Sequence, residues 1–112
     1  MNHSSTHIAT PHASKYILKL CRHFAHKVPA QFTEWEGRVR FLQGQCVMRA
    51  DAEGLDIYLQ ADAPGQMPGM HFIIDDHLQR FARTEVLAYG WTPSVPEAVQ
   101  PELDALLKGG QA

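Results

Sequence analysis

Apolar residues recur with the period of an α-helix between Ser14 and Val28. On a helical projection one stripe of this segment is apolar, and the arc beside it is basic and aromatic. The apolar stripe consists of Ile17, Leu20, Cys21, Phe24 and Val28, and the neighbouring arc consists of Tyr16, Lys19, His23, His26 and Lys27. We therefore predict an amphipathic first helix, ended by Pro29, that packs with one face and can bind with the other.

After this helix the period changes to two, which is typical of β-strands. Alternating segments at residues 31–35, 38–42, 45–50 and 55–61 are separated by turn residues, and they predict a four-stranded antiparallel meander. A second helical pattern follows at residues 70–83, with His77 inside its apolar stripe. Residues 85–91 have the character of a short closing strand.

A sheet with one apolar face and two amphipathic helices has one economical arrangement, in which both helices cover that face. The sequence therefore predicts an α+β fold, a two-layer sandwich of a four- to five-stranded, mainly antiparallel sheet with two helices on one face. The predicted order is α-β-β-β-β-α-β. We expect a single domain at residues 14–91, a disordered arm of small polar residues at residues 1–13, and a Pro-rich tail at residues 92–112 with a short helix at residues 101–108.

The composition is that of an ordinary globular domain. The chain has 112 residues, of which 45% are hydrophobic and 20% charged, and its formal net charge is -2. This balance argues against a general nucleic-acid or membrane binder, and no apolar run has the length of a membrane span, so we expect a cytoplasmic protein. Cys21 and Cys46 fall on the apolar sides of their elements, which favours buried, reduced thiols.

Two segments carry a family resemblance when they are taken together. They are S-K-Y-I-L-K-L-C-R-H-F-A-H-K at residues 14–27, followed by Pro29, and H-L-Q-R-F-A-R-T-E at residues 77–85. From about Ser14 to Trp91 the chain resembles a family of small bacterial proteins known as domain of unknown function 2218. Members stand alone, or are joined to or encoded beside siderophore-interacting flavoproteins that reduce ferric chelates. The resemblance therefore implies a link to iron acquisition, with such a flavoprotein or a ferric chelate as partner.

The resemblance also implies which residues matter. The positions that match the family are His23, His26 and Lys27 in the first segment and His77, Arg80, Arg83 and Glu85 in the second. The approach to the second helix at residues 66–76 departs from the Ala- and Glu-rich run of comparable members.

The basic arc between the two predicted helices has the charge of an anion site. Its candidate ligand-binding residues are Lys19, His23, His26, Lys27, His77, Arg80 and Arg83. These side chains offer hydrogen-bond donors to a carboxylate, catecholate or phosphate. The alternative is that they are solvated and paired with nearby carboxylates.

The histidines of this arc also suggest a metal site. His23, His26 and His77 together would suit Zn, Fe or Cu. No HExxH or CxxC motif supports such a site, and the charge of Lys27 disfavours a cation beside His23.

The sheet face away from the two helices is expected to be uncovered. It carries a predicted interaction surface of Trp35, Arg38, Arg40, Arg49 and Tyr58. Aromatic and basic groups suit single-stranded RNA, but the net charge and the lack of an RNP-like aromatic pair favour a protein contact. We expect either a homodimer interface or a docking surface for a flavoprotein.

We therefore predict a small accessory domain that binds an anion or a chelate in the cleft between the helices and serves iron-siderophore utilisation. The first alternative is a structural or dimerising module that uses the sheet face, and the second is a His-based metal-binding protein. The sequence contains no G-x-S-x-G motif and defines no cofactor, so we favour a binding protein over an enzyme.

Overall fold

A five-stranded antiparallel sheet with helices packed against it forms the fold, and this confirms the predicted α+β sandwich. The computed structural model describes residues 2–109, so Met1 of the predicted arm and residues 110–112 of the predicted tail lie outside the described residues. The elements are β1 (His3–Ala9), α1 (Ala13–Phe24), β2 (Ala30–Phe32), β3 (Glu36–Arg40), β4 (Gly44–Asp51), β5 (Gly54–Ala61), α2 (Met67–Phe81) and α3 (Gln100–Gly109). The strand order is β1-β5-β4-β3-β2, so β2 to β5 form a meander.

The main core lies between one face of the sheet and the two helices α1 and α2. Fully buried apolar side chains from both helices and from the sheet meet there, among them Ile17, Leu20, Val39, Met48, Ile57, Leu59, Ile74 and Leu78. Gly37 in β3 lets α1 come close to the sheet, because a Cβ atom at this position would lie 2.7 Å from Cys21 Sγ. Within residues 2–109, no helix is long and apolar enough to span a bilayer.

β1 takes the place of the disordered arm that the sequence predicted. The strand pairs antiparallel with β5 along its whole length. Its inward side chains are Ser4, Thr6 and Ile8, which are all buried although only Ile8 is apolar. Thr6 Oγ1 donates to the carbonyl oxygen of Gly90 at 2.7 Å. The prediction of disorder is wrong because these small polar residues find their partners far along the chain, where no local pattern reveals them.

The closing strand predicted at residues 85–91 does not form. This segment joins no ladder of the sheet. The chain returns to the sheet only beyond it, in an isolated bridge where Ser5 and Thr92 exchange two backbone hydrogen bonds of 2.8 Å. The fifth strand of the sheet is therefore β1, and it comes at the beginning of the chain.

α3 covers the sheet face that the sequence predicted to be open. Leu103 packs on Val47 of β4, and Glu102 forms ion pairs with Arg38 and Arg49. The helix lies within the predicted Pro-rich tail. The expectation of an uncovered face is wrong because the apolar residues of the tail pack on this face, a contact that the sequence analysis did not assign. The sheet consequently has helices on both faces.

Candidate functional site

Two imidazoles from different helices meet at the surface beside the core. His23 lies in the last turn of α1 and His77 in the second half of α2, and their Nε2 atoms are 3.0 Å apart. Phe24 and Phe81 flank these rings in edge-to-face or tilted contacts. His77 is half-buried and His23 is exposed. The antiparallel packing of α1 and α2 thus joins residues that are 54 positions apart in the sequence.

The hydrogen bonds of this pair define where its protons lie. His77 Nδ1 is 2.6 Å from the carbonyl oxygen of Ile73, and because a carbonyl oxygen only accepts, Nδ1 carries a proton. In the neutral ring His77 Nε2 is then an acceptor, and His23 Nε2 donates its proton to it. His23 Nδ1 is left with a free lone pair. The contact holds one proton between the two Nε2 atoms and has no place for a second.

Positive neighbours surround the exposed ring. Partial burial is the largest cause that lowers the pKa of His23, followed by the charges of His77, His26, Lys27 and Arg80. We call the set of His23, His26, Lys27, His77 and Arg80 the histidine patch. All of its members were singled out from the sequence. The charge of a bound anion would raise the pKa of His23 and so oppose the influence of these positive neighbours. The patch is therefore arranged to favour a negatively charged ligand.

Lys19 and Arg83 are basic residues of the predicted site that do not belong to this patch, whereas Arg80 is its exposed arginine. Lys19 Nζ lies 5.9 Å from the centre of the Phe81 ring, close enough for a cation–π contact. Arg80 pairs with Asp76 at 3.1 Å, but its side chain is 67% exposed, so the pair contributes little. Arg83 is exposed beyond the end of α2.

The predicted metal set is brought together only in part. His23 and His77 converge through their Nε2 atoms, whereas the His26 ring has no hydrogen bond to either of these rings among the described residues. In the described part of the chain, no group of three or more His, Cys, Asp or Glu side chains is arranged to hold a metal ion.

The predicted interaction surface is divided by α3. Arg38 and Arg49 bind opposite oxygens of the Glu102 carboxylate, and Tyr58 is half-buried beside them. Arg40 Nη1 lies 3.9 Å from Asp62 Oδ2 at the edge of the covered area. Trp35 remains 54% exposed in the turn between β2 and β3. Whether these residues contact a partner protein stays a prediction.

Two carboxylates anchor the segment after α2. The family resemblance singled out Glu85, whereas Asp75 was not identified from the sequence. Residues 82–91 are called the return segment below. Asp75 Oδ1 accepts hydrogen bonds from Tyr89 Oη at 2.6 Å and from Trp91 Nε1 at 3.1 Å. Glu85 Oε1 accepts from the hydroxyl groups of Tyr16 and Thr10. The aromatic residues of the return segment were the sequence signal that could have revealed this anchoring, but their pattern predicted a strand.

A serine and a histidine also meet in this region. His71 Nε2 lies 2.7 Å from Ser4 Oγ, and its ring stacks on Trp91 with 4.4 Å between the ring centres. Burial lowers the pKa of His71, although the charge of Asp75 acts in the opposite direction. Ser4 is only 2% exposed, so no substrate can approach its hydroxyl. The pair therefore joins β1 to α2 and does not form a nucleophile.

The comparisons with known proteins agree with this fold. Among curated proteins there is no match. The NMR structure of PA4090 from Pseudomonas aeruginosa is similar, with a TM-score of 0.69 and 29% sequence identity over 86% of this chain and 100% of that chain. Residues 5–92 match the family described as "Uncharacterized protein conserved in bacteria (DUF2218)", a range that begins within β1 and includes α1, α2 and the return segment. The chain therefore belongs to this bacterial family.

Proposed function

We propose that the protein binds a small oxygen-rich anion at the histidine patch. The observation that carries the proposal is the position of His23, whose ring is bonded to His77. Its pKa is lowered first by partial burial and then by the charges of His77, His26, Lys27 and Arg80. An exposed cluster of positive and protonatable groups has the most to gain from a negative ligand.

The hydrogen bonds of the pair suggest how binding proceeds. In the neutral pair His23 Nδ1 is an acceptor and cannot bind an anionic oxygen. When His23 takes up a proton at Nδ1, it becomes a donor on both nitrogens while its Nε2 bond to His77 persists. Lys27 and Arg80 then add charge-assisted bonds to the same ligand. Anion binding and protonation of His23 are therefore expected to occur together.

The family resemblance supplies the class of ligand that we propose. Siderophores and related chelates present carboxylate or catecholate oxygens, and these are the groups that the patch is suited to bind. Such a ligand would give the chain a role in iron utilisation beside a ferric-chelate reductase. The Arg80 guanidinium suits the paired oxygens of both groups, because its donors form a planar fork.

A titration of the histidine ring protons by NMR tests the proposal. Citrate and 2,3-dihydroxybenzoate are added first alone and then as gallium complexes, which have the charge of the ferric chelates without their paramagnetism. We expect the pKa of His23 to rise on binding. Lys27→Ala should weaken the affinity roughly tenfold. Lys15→Ala is the matched control, because it removes the same charge from the exposed surface at the other end of α1.

The direction of the pKa change separates an anion from a metal. Coordination of Zn²⁺ by His23 and His77 requires deprotonated nitrogens, so it would lower the pKa of His23. An unchanged pKa of His23 with every anion would reject the proposal. Equal losses of affinity in Lys15→Ala and Lys27→Ala would do the same, because they would show a general effect of net charge.

A further inference from the structure

A cavity of about 460 Å³ lies between α2 and the return segment, away from the histidine patch. Its walls include Asp75, Leu78, Glu85, Leu87, Tyr89 and Trp91. This volume falls within the range of small-molecule sites. The return segment that forms one wall has no regular secondary structure and is held by the hydrogen bonds of the two carboxylates.

The charge of this cavity is negative. Asp75 and Glu85 both line it, and within the described part of the chain no Lys, Arg or His side chain does so. Neither carboxylate takes part in an ion pair among the described residues. The hydrogen bond from Tyr16 is the largest cause that lowers the pKa of Glu85, and the charges of His12 and Lys15 add to it, but neither of these two basic residues lines the cavity. Two carboxylates therefore face one small space whose described walls carry no cationic side chain.

The hydrogen bonds of these carboxylates leave acceptor capacity for a ligand. Glu85 receives both of its donors, Tyr16 and Thr10, on Oε1, and the described residues give Oε2 none. Asp75 receives its two close donors on Oδ1, and Oδ2 has only a long contact of 3.4 Å with Trp91 Nε1. Each carboxylate thus keeps one oxygen with unused acceptor capacity among the described residues.

The remaining walls are aromatic and aliphatic. Tyr89 and Trp91 stand nearly perpendicular, at 82° with 6.3 Å between ring centres, and form an aromatic corner. The stacking of His71 on Trp91 fixes one side of this corner. Leu78 and Leu87 contribute apolar surface. Aromatic faces beside carboxylates are a combination that attracts organic cations, through both cation–π and charge-assisted contacts.

We propose that this cavity binds a small organic cation, with an ammonium or guanidinium group between Asp75 and Glu85 and an apolar stem against the aromatic corner. The site is independent of the histidine patch, because it uses different residues and has the opposite charge. An anion of the kind that the patch attracts would be repelled from this cavity. The two sites therefore differ in their ligands as well as in their positions.

Binding of matched probes to the full chain tests the inference. n-Butylammonium and n-butylguanidinium are compared with butyramide and butyrate, which have similar stems but a neutral or negative head. Binding is followed by calorimetry and by the fluorescence of Trp91 in a Trp35→Phe background, since Trp35 is the other tryptophan of the chain. We expect the two cations to bind at least roughly tenfold more tightly than the neutral and anionic probes.

Substitutions that keep the shape of a carboxylate side chain but remove its charge show which residues bind the cationic group of the ligand. Asp75→Asn and Glu85→Gln should each weaken cation binding roughly tenfold, with little change in the folded structure by circular dichroism. Asp76→Asn is the matched control, because Asp76 lies next to Asp75 on α2 but pairs with Arg80 and does not line the cavity. His23→Ala should leave cation binding unchanged, which separates this test from that of the histidine patch.

Two outcomes would overturn the inference. The first is binding of the cations that is no tighter than binding of butyramide. The second is an equal effect of Asp75→Asn and Asp76→Asn, which would show that the cation responds to the overall charge of α2. If Glu85→Gln disturbs the return segment, Asp75→Asn alone decides between these outcomes.

Discussion

Glu85 holds the return segment against the beginning of α1. Its Oε1 accepts hydrogen bonds from Tyr16 Oη and from Thr10 Oγ1. Tyr16 is 3% exposed, so water cannot replace the lost hydroxyl easily. In Tyr16→Phe we expect the free energy of unfolding to fall by about 1 to 2 kcal/mol at neutral pH, as measured by urea denaturation.

The control for this experiment is the pH dependence of the difference in unfolding free energy between Tyr16→Phe and the parent protein. The Tyr16 hydrogen bond is the largest cause that lowers the pKa of Glu85. A carboxyl group whose pKa is lowered in the folded state contributes stability above its unfolded pKa, and that contribution is lost as the pH falls through the folded value. The difference between Tyr16→Phe and the parent protein should therefore shrink towards about pH 3. An undiminished difference would show that lost packing, and not the bond to the carboxylate, causes the effect.

At the scale of elements, α3 is attached to the sheet by a small apolar cluster and one shared carboxylate. Partial burial alone would raise the pKa of Glu102, but the hydrogen bonds and charges of Arg49 and Arg38 outweigh it, so the pKa is lowered. In Glu102→Gln we expect backbone amides of α3 to exchange with solvent roughly tenfold faster, because docking of the helix is weakened. Amides of α1 and β5 should exchange at their former rates, since the main core lies on the other face of the sheet.

Glu97→Gln is the matched control for this experiment. It removes the same charge from the segment just before α3, and Glu97 is exposed. Faster exchange in both variants, or faster exchange throughout the molecule, would contradict the local role of Glu102.

The elements that could be predicted from the sequence are those with a local pattern. α1 and α2 have apolar stripes with the helical period, and the meander has alternating strands with short connections, so both were predicted. β1 was not, because its inward residues Ser4 and Thr6 are polar and its partner strand β5 is distant in the sequence. The helix α3 was also predicted from its local sequence. The sheet face on which it docks was not, because that face is decided by the contact of Val99 and Leu103 with Val47.

At the scale of the whole molecule, the candidate site was predictable only where it followed from helix packing. The packing of α1 and α2 on one sheet face brings His23 beside His77, two residues that the sequence analysis had assigned to one candidate site. The acidic cavity depends on the path of the return segment, which is decided by single hydrogen bonds to Asp75 and Glu85. Such long-range bonds have no periodicity, so composition and spacing did not reveal them.

The groups of the fold whose pKa values are shifted favour stability near neutral pH. On the acid side, the pKa values of His23, His71, Glu85 and Glu102 are lowered. Each of these groups contributes stability above its unfolded pKa and loses it as the pH falls through the folded value. On the alkaline side, burial raises the pKa of Cys21 to about 12 and raises those of Cys46, Tyr16 and Tyr89. These groups contribute stability below their unfolded pKa and lose it as the pH rises through the folded value.

The free energy of unfolding should therefore be highest between about pH 7 and about pH 8.5, and it should decrease on both sides. The first decrease on the acid side comes from histidines, because their unfolded pKa of about 6.5 is passed before that of any carboxyl group. Urea denaturation at a series of pH values measures this decrease in the free energy of unfolding. In His23→Gln combined with His71→Gln the slope between about pH 7 and about pH 5.5 should become shallower. A parent protein that is equally stable or more stable at about pH 5.5 would contradict the account, because the lowered pKa values of His23 and His71 require a loss of stability there.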